Sequence, residues 1–327
     1  MPSTPPSAAL PLATASTVHP DRPADASAHL FSVDLEDWYH VSAFEPHVAR
    51  ERWGELPSRV VASTQVLLDL LDEAGHKATF FTLGWAADRH PELVREVVAR
   101  GHELAAHTWW HRRVHSQQPT EFRRESLETR ERLQEIAGVP VLGFRAPSFS
   151  ITPSASWAFE ALVEAGYAYD SSVFPIRRPG YGYPGAPLDP YVIDTAAGPL
   201  REYPLATLSL GRARLPGAGG AYLRHLPLTL VRSTIRQAVT ARRPAMLYVH
   251  PWEVDVAQPR LAVGALTTWR HYGGLARTAP RLQRLFREFR FTSVARWEAA
   301  QGTVSASPVG SGRGPDSNRL RDAARAT

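Results

Sequence analysis

The sequence predicts an α/β fold built on a parallel sheet, and three features of its 327 residues carry that prediction. Short apolar runs of strand length alternate with longer stretches whose apolar residues recur at helical spacing. Glycines stand just past the ends of several of those helical stretches, where a left-handed residue closes a helix. The alternation itself, β then α then β, implies parallel strands joined by helical crossovers, in a sheet either open or closed into a barrel.

The elements follow in order. "HLFSVDLED", beginning at His29, is an apolar run ending in acids, as expected of a buried strand that delivers carboxylates at its C-terminal end. Val60, Val61, Val66, Leu67, Leu70 and Leu71 then recur at helical spacing, Gly75 is the stop, and Ala78 to Leu83 is a strand rich in Thr and Phe. "HPELVREVVARG" is a helix with Pro91 in its first turn and Gly101 after its end, followed by the strand "HELAAH". A helix from about Thr120 to Ala137, Gly138, the strand "VLGF", and a helix from about Ser154 to Ala165 closed by Gly166 continue the pattern. Between about 174 and 220 the rhythm is lost in clusters of Pro and Gly, which predict long loops and short β elements. A helix over about Leu228 to Thr240, the strand "AMLYVH" and the amphipathic stretch "LARTAPRLQRLFREF" restore it.

Composition bounds the function. Hydrophobic residues make up 43% and charged residues 21% of the chain, which describes a globular protein with ample core. There are no cysteines, so disulfides and thiolate metal sites are excluded and any ion must be held by His, Asp, Glu or water. The net charge of +5 and pI near 9.7 invite nucleic-acid binding, but the arginines are dispersed or lie in the tail and form no basic stripe, so no nucleic acid is expected. No run of about 18 apolar residues occurs, so no transmembrane segment is expected. Residues 1–28 lack an early Lys or Arg and an apolar h-region, and are expected to be a disordered leader. Residues 29–300 are the expected catalytic domain and 301–327 a disordered basic tail, giving a cytoplasmic chain for which peripheral membrane contact stays open.

The polar residues that follow the strands supply the chemistry. In parallel α/β folds such groups gather at the C-terminal ends of strands. The first strand delivers Asp34, Glu36 and Asp37. A later one, ending in "AAHTWWH", delivers His107 and His111, four apart, which a helical turn after the strand would point at a shared ion. "FRAPSF" delivers Arg145, and "LYVHPWE" delivers His250. Four segments converging on one end of a fold describe an active site. His102, His115 and His271 have no such partners and are expected to be ordinary structural histidines.

The motifs "SVDLEDW", "HTWWH", "RAPSFS" and "LYVHPWE", in that order over roughly residues 30 to 298, resemble the polysaccharide deacetylase family, carbohydrate esterase family 4, with its chitooligosaccharide deacetylase homology domain. "VDLEDWYH", "GFRAPSFSIT", "YDSSVFP" and "HPWE" resemble the subgroup associated with exosortase and exopolysaccharide gene clusters. The resemblance implies a distorted (β/α) barrel, often seven-stranded, with the Pro/Gly-rich loops over its mouth. It implies N-acetyl removal from an amino-sugar polysaccharide or its precursor, with an N-acetylated glycan as partner. It also implies one divalent ion, usually zinc and sometimes cobalt or nickel, held by His107, His111 and an aspartate. Asp34 matches the base, His250 the general acid, and Arg145 the arginine that orients the base.

Two departures from the family's pattern stand out. The commonest first motif has adjacent aspartates, whereas Leu35 and Glu36 here separate Asp34 from Asp37. Strand alternation puts Asp34 and Glu36 on one side and favours Glu36 as the metal carboxylate; the shorter side chain matches the family's ligand and gives Asp37 the preference, with Glu36 the alternative. Ser148 stands where many members have tyrosine; the resemblance implies that the oxyanion is stabilised by the backbone N–H after Pro147, so the change alters the pocket wall and need not cost activity. Asp170 is expected either to orient His250 or contact a sugar, or to cap a turn. Trp252, with Trp38, Tyr39 and Trp109, offers flat area for a sugar face, core packing being the alternative. A small-molecule amidohydrolase of the same superfamily and a non-catalytic carbohydrate-binding protein are the competing functional readings.

Overall fold

A computed structural model of the chain describes residues 28–302, apart from 179, 212 and 218. The expected leader but for its last residue, and all but the first two residues of the expected tail, lie outside the described residues. Along the chain run β1 (His29–Leu35), α1 (Val60–Glu73), β2 (Thr79–Thr82), α2 (Gly84–Arg89), α3 (Pro91–Ala99), β3 (Glu103–Ala106), α4 (Pro119–Ala137), β4 (Gly143–Phe144), α5 (Trp157–Glu164) and β5 (Tyr169–Asp170). There follow the strands β6 (Tyr191–Thr195), β7 (Gly198–Glu202), β8 (Thr207–Leu210) and β9 (Ala213–Pro216), then α6 (Ala221–His225), α7 (Leu228–Thr240) and β10 (Met246–Val249). The last elements are α8 (Ala265–Tyr272), α9 (Thr278–Glu288), β11 (Phe291–Thr292) and α10 (Val294–Ala300).

The main sheet runs β10-β1-β2-β3-β4-β5-β7-β6, with β11 paired to the start of β1. Every pairing is parallel except the β6–β7 hairpin. The chain beyond β7 turns back to β10: Leu205 forms a parallel bridge with Met246, and the Ala206 N–H donates to the Met246 carbonyl at 3.1 Å. Through that contact the seven parallel strands β10, β1, β2, β3, β4, β5 and β7 form a circuit, the distorted barrel expected. The region of lost rhythm contains two hairpins, β6–β7 and β8–β9, and the latter is tied to α7 by reciprocal Ser209–Gln237 bonds of 2.9 Å.

The pattern of burial explains why these residues build a barrel. All seven residues of β1 are buried, as a strand flanked on both edges and faces requires. α1 buries Val60, Leu67, Leu68, Leu70 and Leu71 while Val61 and Val66 stay exposed, so the helix rests on one stripe. α9 presents Leu282, Leu285 and Phe286 to the same core, each stabilising the fold by roughly 1.5–3 kcal/mol as an upper estimate. A second apolar cluster fills the β3–β5 side under α4 and α5. Because the strands of the circuit are parallel, their C-terminal ends share one rim, and the polar residues that follow them meet there.

Candidate active site

Asp34 lies near the end of β1, and Glu36 follows that strand by one residue. The alternation of the strand turns both side chains inward, where they are 3% and 1% exposed. His107 and His111 come from the loop after β3. The expected helical turn is not what brings them together: Thr108 and His111 adopt positive φ of 59° and 51°, and the loop curls so that the two rings lie 5.2 Å apart. Two non-glycine residues in the left-handed region are strained, and the surroundings hold them. Glu125 of α4 accepts from the Trp109 and Trp110 N–H groups, both at 3.0 Å, and from Arg112. Gly84 donates its N–H to the Thr108 carbonyl at 2.9 Å. A Cβ at Gly84 would stand 2.7 Å from the Trp109 ring, so only glycine lets the loop sit this close.

Glu36, His107 and His111 each offer a ligand atom within 4.8 Å of the others, and all three are buried. His111 Nε2 lies 2.9 Å from Glu36 Oε2. The His107 Nδ1 is paired with the Arg145 carbonyl at 2.8 Å, which fixes the ring and turns Nε2 to the cluster. Burial pushes His107 down to about 4, so it is a neutral ligand. Burial raises the Glu36 carboxyl, but His111, His250 and His107 together hold it well below its usual range, so it is ionised. The His111 Nδ1 is buried without a hydrogen-bond partner among the described residues. One carboxylate and two imidazoles converging in a buried site fit a divalent ion with open coordination positions.

The preference for Asp37 is corrected by this arrangement. Asp37 turns the other way and accepts from Ser58 Oγ (2.6 Å) and from the N–H groups of Trp38 (2.9 Å), Arg59 (2.9 Å) and Val60 (3.3 Å). It caps the N-terminus of α1, where a carboxylate satisfies donors the helix leaves free. Glu36, the alternative carboxylate, is the one that faces the two histidines.

Beside the cluster stand Asp34 and His250, the candidate acid–base pair. Arg145 is completely buried and spends its guanidinium on Asp34 Oδ1 (2.6 Å), Ser32 Oγ (2.7 Å), the Ser171 carbonyl (3.0 Å) and Ser171 Oγ (2.8 Å). Its plane lies over Phe81, 4.0 Å from the ring centre. Asp34 is therefore held rigidly on one oxygen. The other, Oδ2, is 3.9 Å from His250 Nε2, and Glu36 Oε1 is 3.7 Å from the same nitrogen. Burial opposes a charge on His250, yet Glu253, Glu36 and Asp34 raise it to about 9. At 18% exposure its side chain is the member of an otherwise dry group that is open to solvent.

The structure places the remaining residues as follows. Pro147 and Ser148 lie on the same rim two and three residues after Arg145; Ser148 and Phe149 have φ of 55° and 52°, and Ser148 Oγ bonds Ser42 Oγ at 2.8 Å. Asp170 does not reach His250. It accepts from Ser172 Oγ (2.6 Å) and the Ser172 N–H (3.1 Å), the turn-capping alternative; burial raises its carboxyl, and burial together with Asp170 raises that of Glu202. Trp252 is 6% exposed; it stacks on His250 and His271 and donates Nε1–H to Glu36 Oε1 at 3.2 Å. That burial leaves no platform for a sugar and makes it a support for the cluster. Trp38 and Tyr39 are core residues. His102 accepts from the Ala78 N–H, and His271 braces Trp252 with its Nε2 on Gln258.

Sequence reasoning missed the partner of His250. Glu253 Oε2 is 2.9 Å from both the His250 Nδ1 and its N–H, and Arg224 Nη1 is 2.7 Å from Glu253 Oε1. The i, i+3 spacing inside "HPWE", the spacing of a capping box, carried that signal. Nothing local pointed to Arg224, Ser171 or Glu125.

These features define an α/β barrel protein with a candidate metal centre and an acid–base pair on its C-terminal rim. Residues 56–169 of the chain match the polysaccharide deacetylase family, and residues 171–299 match a domain of unknown function, DUF3473. It is similar to a peptidoglycan-N-acetylglucosamine deacetylase of Bacillus cereus, 33% identical over 98 residues, 30% of this chain and 36% of the relative. It is also similar to a chitooligosaccharide deacetylase of Rhizobium leguminosarum bv. trifolii, 43% identical over 68 residues, 21% of this chain and 32% of the relative. The chain thus spans about a third of the length of these curated relatives. A crystal structure from Mycobacterium smegmatis, described as a candidate polysaccharide deacetylase, superposes with a TM-score of 0.59 at 21% identity, covering 90% of this chain and 96% of that one. That likeness speaks for the fold.

Proposed function

We propose that the chain is a metal-dependent hydrolase that removes N-acetyl groups from an amino-sugar polysaccharide or its precursor. The observation that carries the reading is the juxtaposition of the Glu36–His107–His111 cluster with Asp34 and His250, each on the C-terminal rim. Glu36, His107 and His111 would hold the ion, which when bound supplies Lewis-acid polarisation of the acetyl carbonyl and a lowered pKa for water. Zinc suits a donor set of two imidazoles and a carboxylate, with cobalt or nickel as substitutes.

The protein's own groups divide the proton work. Asp34, oriented through Oδ1 by Arg145, takes the proton of the attacking water on Oδ2. His250 gives a proton from Nε2 to the departing amine, which would otherwise leave as an unstable anion. The backbone N–H of Ser148, after Pro147, is the candidate donor to the oxygen that gains charge. The subgroup motifs "VDLEDWYH" and "HPWE" support a place in exopolysaccharide biosynthesis.

The test is acetate release from a panel of N-acetylated glycans by the full-length protein, before and after chelation and with zinc restored. Chelator-sensitive release from at least one glycan is expected, with His107→Ala abolishing both ion binding and turnover. Release from none of them, or release indifferent to chelation, would overturn the reading.

A further inference from the structure

We propose that Glu253 and Arg224, both within the domain of unknown function, form the positioning device that holds His250 as the proton donor of the reaction; the inference rests on the deacetylase reading. A carboxylate carries no proton to give, so the 2.9 Å contact between Glu253 Oε2 and His250 Nδ1 requires a hydrogen on Nδ1. Nε2 is thereby the nitrogen turned to Asp34 and Glu36. The same carboxylate oxygen receives the His250 N–H, so ring and backbone are fixed together.

The other oxygen, Oε1, receives Arg224 Nη1 at 2.7 Å, and Arg224 Nη2 donates to the Arg270 carbonyl at 2.6 Å. Glu253 and Arg224 are 0% and 1% exposed. A buried ion pair of this kind brings little net stability, because removing both charges from water offsets their attraction. What it does supply is a carboxylate with both oxygens committed, unable to rotate away from His250.

The origin of Arg224 supports a built arrangement. α6, which carries it, starts where Gly219 and Gly220 press against β10, the strand that delivers His250. The Gly220 N–H donates to the Tyr248 carbonyl at 3.1 Å, and a Cβ at Gly219 would fall 1.8 Å from that carbonyl oxygen. At the far end of α6, Arg281 donates to the carbonyls of Leu223, Arg224 and Leu226. The segment 171–299 therefore contributes the acid, its partner and its anchor, while 56–169 contributes His107, His111 and Arg145. Neither matched segment holds a whole site.

The test uses the full-length zinc-loaded protein, two acetyl donors and an isosteric change. In Glu253→Gln the amide must set an NH2 donor against a donor, since both oxygens of Glu253 only accept. With a chitin oligomer, whose amine needs a proton to leave, kcat is expected to fall about 10- to 100-fold with KM within about twofold. With 4-nitrophenyl acetate, whose phenolate needs none, kcat is expected to fall at least about tenfold less. Arg224→Lys, which keeps a cation, should lose less amide turnover than Glu253→Gln. An exchange-protected, downfield His250 Nδ1–H proton resonance is expected in the wild type and should be absent in Glu253→Gln. Equal losses on amide and ester, unchanged amide turnover, or an unchanged resonance would overturn the proposal. A wild type that keeps its zinc and the resonance yet cleaves no amide would instead sink the deacetylase reading.

Discussion

Alanine at Asp37 and alanine at Glu36 should have opposite consequences, although the two residues are neighbours. The Asp37 carboxylate collects four donors at 2.6 to 3.3 Å: Ser58 Oγ, the adjacent Trp38 N–H, and the Arg59 and Val60 N–H groups at the start of α1. Loss of a helix cap costs about 0.5–2 kcal/mol, and donors left buried without an acceptor add roughly 1–3 kcal/mol. Asp37→Ala is therefore expected to destabilise the fold by about 2–4 kcal/mol. For a chain of this size that lowers Tm by roughly 3–7 °C, while bound zinc stays stoichiometric. Glu36→Ala removes one of three donors from the cluster. It should weaken zinc by more than about 100-fold, since even changes behind a ligand reach 10- to 100-fold. The assay is zinc content by plasma mass spectrometry after dialysis against a weak chelator, with urea unfolding followed on zinc-free protein so that ion binding does not mask stability. An Asp37→Ala protein that loses zinc at unchanged stability, or a Glu36→Ala protein that keeps it, would refute the assignment.

Three further outcomes are expected. Arg145→Lys keeps the charge but not the planar fork that reaches Asp34, Ser32 and Ser171 together, so kcat should fall on the order of 10- to 100-fold; steady-state kinetics showing a wild-type kcat would contradict that role for the fork. Gly219→Ala should destabilise by at least about 2 kcal/mol, because φ is 149° and the new Cβ meets the Tyr248 backbone; an unchanged urea midpoint would argue against the close approach. His29, whose Nδ1 accepts from the Ala245 N–H, is pushed down to about 4 by burial. Its folded pKa lies below the unfolded value near 6.5, so its contribution is complete above about pH 6.5 and is lost as pH falls towards about 4, by up to about 3 kcal/mol. Urea unfolding at pH 7.5, 5.5 and 4.5 should show a shallower decline in His29→Gln, and parallel declines would count against the strut.

Most of the rim was legible in the primary structure because strand ends are local events. Asp34, His107, Arg145 and His250 each follow an apolar run, and parallel topology carries such residues to one end. Alternation along β1 also pointed to Glu36; the preference for Asp37 followed the length of a side chain and overlooked the helix start 23 residues on that claims it. The two histidines come together by a different geometry from the helical turn expected, since positive φ at Thr108 and His111 depends on Glu125 and Gly84, supplied by other elements. Asp170 and Trp252 were assigned by their motifs and placed by packing: one is satisfied by Ser172, the other stacked on His250 and His271.

By itself, then, the sequence determined the α/β alternation, the exclusion of thiolate chemistry, and which residues would stand at the strand ends. Those follow from periodicity and composition, which need no partner distant in the chain. Only the tertiary structure decided which carboxylate joins the histidines, which oxygen of Asp34 Arg145 occupies, and that Glu253 and Arg224 stand behind His250. Each of these is a competition among donors and acceptors that fold together from places 21 to 216 residues apart. The winner is set by distance and burial, which the order of residues along a chain does not contain.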